Sequence, residues 1–66
     1  MRDVRVEIQD LEPGDIIVPS GREVLSITIE PETPVGSRVV HLRNSNNDGT
    51  SRHVFRADVV VTVRRS

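Results

Sequence analysis

The sequence predicts an all-β domain, a single small barrel of five to six short antiparallel strands over residues 1–66. Apolar residues alternate with polar ones in several short runs: Val4, Val6 and Ile8, then Leu25, Ile27 and Ile29, then Val59, Val61 and Val63. That period of two is the signature of a strand with one buried face. Turn-forming clusters of Gly, Pro, Asn and Asp punctuate the chain at intervals of about 8–12 residues, the spacing of a small barrel or sandwich. No long stretch carries helical periodicity, and 66 residues allow one domain.

The first strand is expected over Arg2 to Ile8, with Asp3, Arg5 and Glu7 on its polar face. Leu11 follows and is placed to plug one end of the core. Pro13 presets φ near −65° and Gly14 supplies φ > 0, which suits the centre of a type II turn closed by Asp15. A short second strand runs from Asp15 to Val18, then turns through Pro19-Ser20-Gly21-Arg22 into a third strand, Glu23 to Glu30. In that strand Leu25, Ile27 and Ile29 are expected inward, with Ser26 and Thr28 outward. Pro31, Pro34 and Gly36 exclude a regular ladder and mark a loop. A fourth strand, Arg38 to Arg43, and a fifth, Ser51 to Arg56, flank a polar hairpin tip from Asn44 to Thr50, where Asp48-Gly49 is a turn signal. Ala57-Asp58 makes a short turn into a last strand, Val59 to Arg64, and Arg64-Arg65 reads as a solubilising tail or an electrostatic arm.

This succession of strand, Pro-Gly-Asp turn, hairpin, longer loop, polar-tipped hairpin, short turn and terminal strand resembles an SH3-like small barrel. The resemblance covers nearly the whole chain and lies in the pattern of elements rather than in a motif. It implies a nucleic-acid, peptide or protein-docking module more readily than an enzyme. The aromatics with which SH3 domains grip proline-rich peptides have no counterpart here, so that activity is not carried over.

Composition narrows the function further. Phe55 is the only aromatic side chain; Trp and Tyr are absent. Single-stranded nucleic-acid binders stack bases on aromatic platforms, and readers of proline motifs line their grooves with them. Neither mode suits this chain. Ten acids oppose nine bases, and every base is arginine. GC-rich coding produces that usage, as does selection for planar, bidentate contact with phosphate or carboxylate. Neither an apolar run of membrane-spanning length nor a signal-peptide pattern is present, so the expected location is the cytoplasm. There is no cysteine and no tract of metal ligands. A core this small gains from self-association, and a homodimer is one expectation.

The best functional candidate is the second hairpin. If Val40, Leu42 and Phe55 face the core, alternation turns His41, Arg43, Arg52 and Arg56 to one exposed face, with Arg64 and Thr62 of the last strand expected nearby. Such a face can bind phosphates electrostatically. It can equally be a solvated face whose charges pair with Glu23, Glu30 or Asp58. His41 and His53 would sit opposite one another only if the hairpin were centred on Asn47, and the register that gathers the apolar residues separates them, so a metal site is not expected. No serine or acid lies in a nucleophile-elbow or paired-carboxylate pattern, and no cofactor or enzyme activity is expected. The expected function is a small protein-docking or regulatory barrel of bacterial or phage type. The alternative is a nucleic-acid-binding barrel that uses the Arg-rich hairpin face.

Overall fold

A computed structural model describes residues 2–44 and 49–65. Six strands form one antiparallel sheet: β1 (Arg2–Glu7), β2 (Ile16–Ile17), β3 (Arg22–Thr28), β4 (Ser37–Arg43), β5 (Thr50–Arg56) and β6 (Val60–Arg65), with a 3₁₀ turn at Ile8–Asp10. Their order is β1-β6-β2-β3-β4-β5. The last strand is thus inserted between the first strand and the meander β2 to β5. Only β1 and β5 keep an edge without a strand neighbour among the described residues. The tip residues 45–48, including the Asp48 half of the Asp48-Gly49 turn signal, lie outside the described residues.

Burial follows the alternation, with instructive exceptions. Ile8, Leu11, Val24, Val40, Leu42 and Val63 form the core, and Val4, Val6, Ile17, Ile27, Phe55 and Val61 pack against it. Each fully buried aliphatic of the core contributes about 2 kcal/mol by leaving water. Ile8 reaches the core from the 3₁₀ turn rather than from β1, because the chain tightens after Glu7. Its N–H still donates to the Val59 carbonyl at 2.9 Å, so the ladder with the β6 side continues. In β3 the expected inward set is displaced. Val24 pairs with Leu42 and Ser26 with His41, leaving Leu25 as the extra residue of a β-bulge. Val24, not Leu25, is fully buried; Ile27 returns to the core side, and Ile29, beyond the end of the strand, is 69% exposed. A bulge shifts the phase of alternation by one, and side-chain periodicity alone carries no mark of it.

Val39 is the second exception. Alternation turns it away from Val40 and Leu42, yet it is fully buried outside the core cluster. It sits on a central strand between Thr28 of β3 and Val54 of β5. Alternation predicts which way a side chain points, but not whether that side is covered.

The Pro13-Gly14 corner is a type II turn. Asp15 N–H donates to the Glu12 carbonyl at 3.1 Å, and Gly14 has φ +96°. Two further backbone bonds weld the turn to β3: Gly14 N–H to the Val24 carbonyl and Val24 N–H to the Asp15 carbonyl, both 2.8 Å. Leu11 lies buried beneath it, as expected. The expected tail is instead structure: Arg64 and Arg65 both belong to β6, both paired with β1, and Arg64 is also paired with Ile16 of β2.

Candidate functional site

The hairpin β4–β5 has the register that the apolar residues require. Val40 is opposite His53, Leu42 opposite Ser51 and Arg38 opposite Phe55, while His41 is opposite Arg52, Arg43 opposite Thr50 and Ser37 opposite Arg56. His41, Arg43, Arg52 and Arg56 therefore share the face turned away from the core. The two histidines lie on opposite faces. Among the described residues no group of three or more His, Cys, Asp or Glu side chains is placed to hold a metal ion.

The face is not a free positive patch. Arg43 pairs with Glu23 across β3–β4 at 3.6 Å, Arg52 with Glu30 at 2.6 Å, and Arg56 with Asp58 at 3.6 Å. These are the three acids that the sequence offers as alternative partners. Glu30, just past β3, is the hub. Its Oε1 accepts from Arg52, and its Oε2 lies 3.3 Å from both the Thr28 hydroxyl and His41 Nε2. His41 Nε2 is also 3.2 Å from the Thr28 hydroxyl. The Arg52 guanidinium holds the Glu30 carboxyl below its ordinary pKa, with help from the Thr28 hydroxyl and His41, and Glu30 in turn raises Arg52. Because His41 presents the same nitrogen to the hydroxyl and to the carboxylate, the three do not form a nucleophile–base–orienter relay, which needs both ring nitrogens.

Arg64 stands apart from this cluster. It shares the outer face, but β2 and β3 separate its strand from β4. It pairs with Asp3 of β1 at 3.0 Å. The registers do connect it to the hairpin in another way. Asp3 is opposite Arg64, Arg64 opposite Ile16, Ile16 opposite Glu23 and Glu23 opposite Arg43. One belt of alternating charge, broken by an isoleucine, thus crosses five strands. Single-strand patterns cannot show such a belt, because it is written across residues far apart in the chain.

The most buried charge among the described residues lies at the Pro13-Gly14 corner and was not singled out by the sequence. The Asp15 carboxylate is 3% exposed. It accepts from Arg65 Nε at 3.0 Å and Arg65 Nη2 at 2.8 Å, a two-pronged contact, and from the Glu12 N–H at 3.0 Å. The Arg65 guanidinium lowers the Asp15 pKa; burial opposes that effect and the Glu12 N–H reinforces it. Arg65 is raised in return, chiefly by Asp15. It also reaches Glu12 at 3.6 Å and the Asp10 carbonyl at 3.5 Å. The cluster fastens the Pro13-Gly14 corner to the last strand and uses up its own charges, so its role is structural.

An open cleft of about 350 Å³ lies where the 3₁₀ turn meets the loop before β4 and the β5–β6 turn, lined by Gln9, Val35, Ser37, Arg56, Ala57 and Asp58. Its only cation, Arg56, already pairs with Asp58, and both are largely solvent-exposed. No helix among the described residues is long and apolar enough to cross a membrane. No protein-family model matches the chain, and neither a curated protein nor a solved structure matches it.

Proposed function

We propose that this chain is a small SH3-like barrel, of bacterial or phage type, that works in the cytoplasm as a non-enzymatic protein-docking module. The observation that carries this reading is the free edge of β5. Alternate residues of the seven-residue strand, Thr50, Arg52, Val54 and Arg56, turn their backbone groups to the open side, with the exposed Val54 between Arg52 and Arg56. An uncovered edge recruits another strand through main-chain hydrogen bonds, and the alternate side chains set its specificity. The pairing of the first strand with the last supports the small-barrel architecture. The alternative, nucleic-acid binding through His41, Arg43, Arg52, Arg56 and Arg64, has less support. Each of these groups already faces a carboxylate within 4 Å, and counterion release needs cations free to neutralise phosphate.

The reading is tested by comparing proteins captured by the immobilised chain and by its Val54→Lys variant, which places a charge on the edge. Docking at the edge expects a partner retained by the parent and lost by the variant. A partner retained equally by both would refute the edge as the docking surface.

A further inference from the structure

We propose that the two free edges bind one another between copies, β1 of one copy adding antiparallel to β5 of the next. The proposal rests on the docking reading and names the partner as a second copy of this chain. All the ladders are antiparallel and the strands number six, so β1 and β5 run in opposite directions at the two ends of the sheet. A second copy brought edge to edge, turned to follow the twist of the sheet and with its core face on the same side, therefore meets its neighbour antiparallel. Six residues of β1 oppose seven of β5, so the edges are of similar length.

Charge selects the register. Val4 and Val6 lean on the core, so Asp3, Arg5 and Glu7 line the outer face of β1; Phe55 leans on the core, so Arg52, Val54 and Arg56 line the outer face of β5. Facing matched sides, Glu7 can oppose Arg52, Arg5 oppose Val54 and Asp3 oppose Arg56 of a second copy. On the core side the same register sets Val4 against Phe55 and Val6 against His53. Sliding β5 by two residues in either direction puts Arg5 opposite Arg52 or opposite Arg56, and like charges directly opposed are destabilising. Arg52, Arg56 and Asp3 hold half-exposed partners within their own copy, and exchanging one surface pair for another changes little energy. The charges therefore set the register, while backbone bonds and the Val54 and Phe55 contacts hold the copies together. A two-fold pairing of β1 with itself also finds an Arg5–Glu7 match, but it leaves β5 open.

The interface is heterologous, so assembly proceeds head to tail. The chain has no cysteine, which makes single-cysteine variants unambiguous reporters. Arg5→Cys and Val54→Cys, both at exposed positions, are mixed in equal amounts and mildly oxidised. The expected result is a mixed disulfide well above the share random collision gives. Light scattering of the parent should show average mass rising with concentration, and Glu7→Arg should weaken that association several-fold, with Glu7→Arg/Arg52→Glu restoring it. A random distribution of disulfides, a dominant Val54→Cys homodimer, or a monomer mass at all concentrations would overturn the proposal. The docking reading would fall as well only if Val54→Lys also kept every captured partner.

Discussion

Replacing Asp15 with alanine should unfasten the Pro13-Gly14 corner from β6 and lower stability by about 3 kcal/mol. The carboxylate accepts three hydrogen bonds, two of them from Arg65 and one from the Glu12 N–H. A hydrogen bond to a charged group contributes about 1.5–3 kcal/mol, and removing one member of a buried ion pair costs roughly 3–5 kcal/mol. The figure falls at the low end because the Arg65 side chain is one-quarter exposed and still has Glu12 and the Asp10 carbonyl in reach. A domain of this size has a total stability of about 3–10 kcal/mol, so the loss is a large fraction of the whole. In thermal unfolding it corresponds to a fall in Tm of roughly 12–24 °C. Urea titration should rank the parent, Asp15→Asn and Asp15→Ala in that order of increasing damage, since Asn can still accept from the Glu12 N–H. In a double-mutant cycle with Arg65→Met, the two losses should fall short of additive. An Asp15→Ala protein within about 0.5 kcal/mol of the parent, the ordinary range for an uninvolved surface site, would refute the argument.

The same contact sets an acid limit: the folded Asp15 pKa lies below its unfolded value, so its contribution is complete above about pH 4 and is lost as pH falls through the folded pKa. Asp15→Asn should accordingly flatten the acid limb of stability against pH, leaving the slope that Glu30, shifted in the same direction, supplies. Gly14→Ala should cost about 1–2 kcal/mol from backbone strain alone, because φ is +96° while a Cβ there would meet nothing within 4 Å; equal stability by urea titration would contradict the turn assignment. His53→Leu should raise stability by about 1 kcal/mol, since His53 Nε2 is buried without a hydrogen-bond partner in the described structure; a lower urea midpoint would contradict it. Glu30→Gln should expose Arg52 and His41 and produce salt-sensitive affinity for nucleic acid that the parent lacks, measured by fluorescence anisotropy.

Much of the fold was legible because the period-two pattern of β1, β4 and β6 and the turn residues at the Pro13-Gly14 corner agree. Pro13-Gly14 forms the turn its chemistry requires, and the hairpin register follows from gathering Val40, Leu42 and Phe55. What escaped the sequence depends on neighbours across the sheet. The bulge at Leu25 re-aims Val24 into the core, Val39 is buried on the outward side of β4, and Arg65 turns from a tail residue into the partner of Asp15. The candidate site was legible as a shared face but not as a charge state. His41, Arg43, Arg52 and Arg56 share one side, as alternation requires. Whether that side is free or neutralised depends on where Glu23, Glu30 and Asp58 arrive in space. Arg64 was associated with the hairpin because its strand turns the same face outward; the insertion of β6 beside β1 leaves two strands, β2 and β3, between them.

On the proposed function the arginine-bearing face is neutralised and binding belongs to the strand edges. The most direct test is a titration of the parent with mixed single- and double-stranded nucleic acid at low salt, followed as salt rises. No appreciable binding is expected, and none gained or lost in Arg43→Glu/Arg52→Glu. Tight binding that weakens steeply, by close to one power of salt concentration for each phosphate neutralised, and that the double variant abolishes, would contradict it.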